Sequence, residues 1–243
     1  MNSPVESANV PENAATTTTH RIGRVPGSKN SAMQDRAVRT REAIIAVAAR
    51  LFDTDGYGHT SINTISGTGK FAKGAMYYHF PSKEAIAERL ISDWNRTLDE
   101  TIREALAASS SSSAVEKLAA IFTSLARQIA EDINVRAGMK LTLEPTIDNA
   151  TGFAHWVDAI SGIIETAITD GELTDTPTSR RLAWNLCAGT IGAVNASAIL
   201  HENVDLTTRI DDVLTIHLSA THQRRYPPSP EHRNSETLGR LNA

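Results

Sequence analysis

A single cysteine, Cys187, stands among 243 residues. That excludes an internal disulfide and a cysteine-based zinc cluster. No apolar run approaches the roughly 20 residues needed to span a bilayer, and the first thirty residues lack the apolar core of a secretory signal. A cytoplasmic protein is the expectation. The eight histidines are scattered, with no pair at H-x-x-x-H spacing. His155 and Asp158 could touch on one helix face, but no Ser or Cys nucleophile accompanies them, and Cys187 has no neighbouring base. No catalytic residue, metal site or cofactor is therefore expected, and the protein is expected not to be an enzyme. Strands and repeats are also missing from the pattern.

What is present is a chain with 40% apolar residues, long enough for one large or two small cores. Its net charge of −4 is unevenly spread. Met1–Leu90 holds eleven Lys/Arg against eight Asp/Glu, about +3, and the remainder holds thirteen against twenty, −7. DNA attracts the first part and repels the second.

The apolar period is helical throughout, predicting an all-α fold. Residues 1–34 read as a disordered polar arm, rich in Thr, Ser, Asn and Pro, with His20, Arg21, Arg24 and Lys29 in its second half. Residues 223–243 read as a disordered tail. The first helix carries Ile44, Ala48, Leu51 and Phe52 and ends at Gly56. Two short helices follow, one holding Ile62 and Ile65, the next running from near Ala72 to before Pro81. Ser82 caps a long fourth helix, residues 82–107, with Ile86, Leu90, Trp94, Leu98 and Ile102 on one face. After the serine run Ser109–Ser113, further helices carry Val115–Ile129, Phe153–Ala167, Leu182–Leu200 and Leu206–Leu214. Residues 35–81 thus form a first domain and 108–222 a second.

Thr60–Phe80, two short helices joined by a tight turn and supported by a third, has helix-turn-helix architecture. The second of the pair would enter the major groove, about 12 Å wide, exposing Lys73, Tyr77, Tyr78 and His79. Gly74 and Ala75 are small enough for close approach, while Met76 and Phe80 face the core. Lys73 can reach a guanine edge or a phosphate, the tyrosines and His79 can reach phosphates, and Lys83 lies where helix N–H groups also favour an anion. Gly67-Thr68-Gly69-Lys70 is not a phosphate-binding P-loop: position 64 is not glycine, no Ser or Thr follows Lys70, and no strand precedes it.

Lys73-Gly74-Ala75-Met76-Tyr77-Tyr78-His79-Phe80-Pro81-Ser82-Lys83-Glu84 resembles the signature of the TetR family. Arg39-Thr40-Arg41-Glu42-Ala43-Ile44-Ile45 and Leu51-Phe52…Gly56-Tyr57…Thr60-Ser61-Ile62 fall at that family's spacing. The resemblance implies a DNA-binding repressor whose DNA contacts are Arg39, Thr60, Lys73, Gly74, Ala75, Tyr77, Tyr78, His79 and Lys83. One departure stands out. The family places Gly in the turn and Ser or Thr two residues later, where this chain has Lys70 and Ala72. Lys70 would adopt an uncommon left-handed backbone, and Ala72 forgoes a capping bond of about 1 kcal/mol.

Val135-Arg136-Ala137-Gly138-Met139-Lys140-Leu141 and Phe153-Ala154-His155-Trp156 resemble the γ-butyrolactone receptors of actinobacteria, regulators of signalling and antibiotic biosynthesis. This resemblance implies that Trp156 lines an effector pocket. Taken by periodicity alone, Trp156 reads as a large core residue, since aromatic stripes usually mean core. Helix facing adds Phe122, Leu125, Met139, Thr142, Leu143 and Trp184, an apolar lining suited to a small lactone or furan. Gly189, Gly192, Ala193 and Ala196 make one helix small-faced and are expected at a homodimer interface, which would pair two helix-turn-helix units on a palindromic operator. Two alternatives remain: the same fold sensing an antibiotic or biosynthetic intermediate (a pseudo-receptor), or a small-molecule-binding protein with a vestigial DNA-binding domain.

Overall fold

The computed structural model describes residues 27–108, 112–147, 150–200 and 204–222. The serines at 109–111, most of the expected arm and the expected tail lie outside them. The chain divides into two compact units, residues 1–39 and 40–243. All described elements are helices, with no strand among the described residues.

In the first unit the described residues are the opening part of α1 (Gly27–Thr54). The arm expected to reach Gln34 is corrected here, because the helix starts at Gly27. No proline follows Pro26 until Pro81, and Lys29, Ala32, Met33, Gln34, Arg36 and Ala37 are good helix formers. Lack of an apolar stripe masked adequate propensity.

The second unit contains the rest of α1, which gives way to a turn at Gly56, φ 85°. Ser61 caps α2 (Ile62–Thr68), its Oγ accepting from the Thr64 N–H at 3.0 Å. α3 (Lys73–His79) follows a tight turn. Ser82 caps α4 (Lys83–Ala107), with Glu84 in its first turn. Ser113, last of the serine run, forms a reciprocal capping box with Glu116 at the start of α5 (Ala114–Glu131). α6 (Ile133–Leu141) escaped periodicity because Asp132 both ends α5 and caps α6, so one non-helical residue separates them. α7 (Ala150–Thr169) closes near Gly171, φ 76°. The single-turn α8 (Pro177–Arg180) leads into α9 (Leu182–Ile199) and α10 (Leu206–His222).

Two apolar clusters form within this unit. One joins Ile44, Ala48, Phe52, Ile65, Met76 and Phe80 to Ile86, Leu90, Ala137 and Leu141. The other joins Trp94 and Leu98 to Phe122, Leu125, Met139, Trp156, Ile160, Leu186 and Ile210. α4 supplies residues to both, and α6 does too. A Cβ on Gly138 would collide with the Leu90 carbonyl, so glycine lets α6 lie directly on the α4 backbone. Asp53 of α1 is gripped from α6 by Lys140 at 2.8 Å and Arg136 at 3.2 Å.

The reading that no apolar run approaches membrane-spanning length is corrected by α9, which is long and apolar enough to cross a bilayer. Its buried residues Leu182, Ala183, Leu186, Cys187, Ile191 and Val194 belong to the second cluster, so it is a core helix of this fold. Burial pushes the Cys187 thiol well above its ordinary pKa, which keeps it protonated and unreactive.

Candidate nucleic-acid interface and effector site

α3 is anchored by buried Met76 and by buried Phe80 just beyond its end, with the Arg41 guanidinium 5.2 Å from the Phe80 ring centroid. Its other face is open. Lys73 and Gly74 are exposed, Tyr77 and Tyr78 are 52% and 80% exposed, and Ala75 and His79 are partly so. An added Cβ at Gly74 would meet nothing. Large aromatics left in water on a helix anchored from behind form a surface made for contact. Arg39 is exposed in the first unit.

The turn before α3 is a Schellman motif. The Phe71 N–H bonds the Ser66 carbonyl at 2.9 Å and the Lys70 N–H bonds the Gly67 carbonyl at 3.2 Å. The Ser66 hydroxyl also donates to the Phe71 carbonyl at 2.8 Å. This motif requires a left-handed residue, usually glycine, and here it is Lys70 at φ 53°, the one such non-glycine among the described residues. Left-handed backbone costs a non-glycine roughly 1–2 kcal/mol. Gly69 cannot take that role. It sits in a right-handed conformation beneath the Phe71 ring, where a Cβ would clash. Ala72 makes no side-chain capping bond, as expected.

Two expected DNA contacts need correction. Thr60 is 3% exposed and turns inward, its hydroxyl donating to the Gly56 carbonyl at 2.9 Å. A small β-branched alcohol after a tight turn satisfies that turn's carbonyl before it reaches outward. Lys83 donates its Nζ to the Tyr57 carbonyl at 2.9 Å and lies 3.8 Å from the Tyr57 ring centroid. Its charge ties the loop after α1 to the start of α4, and the residue is partly buried. The Tyr57 hydroxyl donates to Glu84 at 3.2 Å. Burial first, then the Glu84 charge, pushes that phenol far above its ordinary pKa.

Inside the second cluster, four of the seven expected effector residues come together: Phe122, Leu125, Met139 and Trp156. Thr142 is also buried, its hydroxyl donating to the Met139 carbonyl at 2.7 Å. Trp156 meets Trp94 edge-on with ring centroids 5.1 Å apart, and Phe122 and Phe153 lie 6.4 and 6.3 Å away. Both indole Nε1 groups are buried with no hydrogen-bond partner. Each such orphan costs about 1–3 kcal/mol and calls for a reason.

Leu143 and Trp184 do not belong to this interior and are corrected. They are 47% and 58% exposed. Leu143 falls in the turn after α6. Trp184 lies two turns before Gly192 on the outer side of α9, where Gly192, Ala196 and Ile199 are also exposed. Of the expected interface residues, Gly189 turns inward, since its Cβ would sit 2.8 Å from Val213 of α10. Ala193 is half-buried against the core.

A cavity of about 410 Å³ opens farther along α4, α5 and α7, lined by Ile102, Leu106, Ala114, Lys117, Ala159, Gly162, Ile163 and Glu172 among others. None of the seven expected residues lines it. Gly162, leaving room on α7, was the available signal. Glu172 accepts from the Ala114 and Val115 N–H groups, both at 2.8 Å. Desolvation, the largest single influence, pushes its pKa up, but these two donors together with Ser113 and the Lys117 charge outweigh it and hold the carboxyl below its ordinary pKa. His155 pairs with Asp99 of α4 at 2.9 Å rather than with Asp158. Among the described residues no cluster of His, Cys, Asp or Glu could hold a metal ion.

Proteins of known sequence and structure share this architecture. The family model for bacterial regulatory proteins of the tetR family matches residues 44–90. The A-factor receptor protein of Streptomyces griseus is 30% identical over 143 residues, 58% of this chain and 49% of that protein. The match therefore spans about half of that relative's length. A crystal structure of a γ-butyrolactone receptor (ArpA-like protein) superposes with TM-score 0.59 at 26% identity, covering 77% of this chain and 99% of that one. TylP, a TetR regulator from Streptomyces fradiae, superposes with TM-score 0.56 at 28% identity, covering 77% and 81%. Fold and exposed α3 together define a helix-turn-helix protein with a helical companion domain. Over residues 44–90 the chain matches the TetR family, and along most of its length it resembles actinobacterial γ-butyrolactone receptors.

Proposed function

We propose that this protein is a cytoplasmic repressor that binds a palindromic operator as a dimer and is released by a small lactone- or furan-type molecule. The observation that carries this is α3, with Lys73, Tyr77 and Tyr78 exposed on a helix anchored by Met76 and Phe80. Residues 35–81 read DNA, 82–107 connect, and 108–222 bind effector and partner. The protein acts by binding and not by catalysis.

Support for an effector comes from the unpartnered Nε1 groups of Trp94 and Trp156. A ring carbonyl or ether oxygen would satisfy such donors within an apolar lining. The cavity between α4, α5 and α7 offers entry, and Ile163 belongs both to its wall and to the cluster containing Trp156. Dimerisation is supported by the exposed stripe Trp184, Gly192, Ala196 and Ile199. Effector would act through α4 and α6, which serve both clusters, and mis-space two recognition helices that must reach successive grooves about 34 Å apart. A coupling of a few kcal/mol suffices, and operator must weaken effector binding by the same factor.

The test is a gel-shift on DNA flanking the gene, repeated with γ-butyrolactones and furans. A retarded band abolished by one of these compounds is the expected result. A band insensitive to them but released by an antibiotic precursor would make the protein a pseudo-receptor, and no band would leave only a small-molecule binder.

A further inference from the structure

We infer that Lys70 is an additional DNA-contacting residue, a phosphate ligand held beside α3 by the strained turn it occupies. The inference rests on the DNA-binding reading above and adds a residue outside the contacts that the family resemblance supplies. The Schellman turn closing α2 asks for glycine at its left-handed position, and this chain has glycines at 67 and 69 but lysine at 70. Gly69 is committed to the close approach of the Phe71 ring. The Ser66–Phe71 pair of hydrogen bonds then fixes Lys70 in place. A residue kept in a costly conformation points to a use for its side chain.

That side chain is exposed and makes no hydrogen bond or ion pair among the described residues. It stands three residues before Lys73, on the turn that delivers α3. In a helix-turn-helix, the start of the second helix lies against base edges, so the turn before it borders the groove wall, where the phosphates are. A lysine there acts as a flexible point charge rather than a planar fork. It adds affinity without reading sequence.

The test uses the full chain with a random-sequence DNA duplex, following binding by fluorescence anisotropy across a NaCl series from roughly 50 to 200 mM. Lys70→Met and Lys70→Gly should each flatten the log–log salt dependence by about 0.9, the value of one phosphate contact. Lys70→Arg should keep the wild-type slope. Lys70→Gly should also raise the melting temperature by a few degrees, roughly, because the turn regains its favoured residue. Stability and DNA affinity then move in opposite directions in one variant, which a merely structural lysine would not produce. A wild-type slope in Lys70→Met, beside a reduced slope in Lys73→Ala, would overturn the assignment while leaving the DNA-binding reading intact. Wild-type protein with no salt-dependent binding would overturn both.

Discussion

The outward face of α3 and the interior around Trp156 are built on opposite principles. On α3 the side chains expected to work are in water, and the buried ones merely hold them there. Around Trp156 the side chains expected to work are themselves the core. A substitution on α3 can therefore remove function and spare the fold, whereas one at Trp156 disturbs both. Truncating Trp156 to alanine would cost about 3–5 kcal/mol of packing, and loss of effector response in that variant would mean little.

The largest effect should come from breaking the helix pair that joins the two regions. Gly138→Val places a branched side chain against the Leu90 backbone and should destabilise the protein by about 3 kcal/mol or more in urea unfolding. Next, Lys73→Ala and Tyr77→Ala should each weaken operator binding by about 1–3 kcal/mol with an unchanged unfolding midpoint. Thr60→Val, which strips the Gly56 carbonyl of its donor, should instead lower the midpoint.

The outer side of α9 offers a third contrast. Gly192→Leu should dissociate the proposed dimer in sedimentation, at about 1–3 kcal/mol, while Gly189→Leu should destabilise the protomer by striking Val213. A wild-type monomer that bound a palindrome tightly would remove the dimer from the scheme. Trp156→Phe sharpens the interior case: it keeps an aromatic ring and deletes an unpartnered N–H. Stability should be held within about 1 kcal/mol, while release from DNA by a γ-butyrolactone should need roughly tenfold more ligand, one hydrogen bond's worth. Release at the wild-type concentration would make Trp156 purely a core residue.

The smallest effect concerns Glu172. Its folded pKa is depressed, so its contribution is present above the unfolded carboxyl value and is lost as pH falls through the folded one. Glu172→Gln should lower stability by about 1 kcal/mol at neutral pH, and the difference from wild type should shrink as pH falls through the folded pKa, below the ordinary carboxyl range.

How legible each region was in the sequence follows from the same contrast. α3 and its neighbours were readable because caps, turn and anchors lie within about forty residues, and even the left-handed Lys70 followed from where glycine was missing. The directions of Thr60 and Lys83 were not, because each is decided by a carbonyl in the loop after α1 that competes with solvent. α9 is apolar nearly all round, so periodicity could not tell that Gly189 faces α10 while Trp184 faces outward. α6 was hidden by its single-residue separation from α5. The quoted Val135–Leu141 stretch pointed to it without showing that Gly138 rests on α4.

Arg136 and Lys140 sit one turn apart on α6 and share a single carboxylate, that of Asp53. Two anchors along one axis prevent α6 from sliding past the end of α1, because any axial shift lengthens one bond as it shortens the other. The register between α6 and the end of α1 is thus fixed along the helix axis.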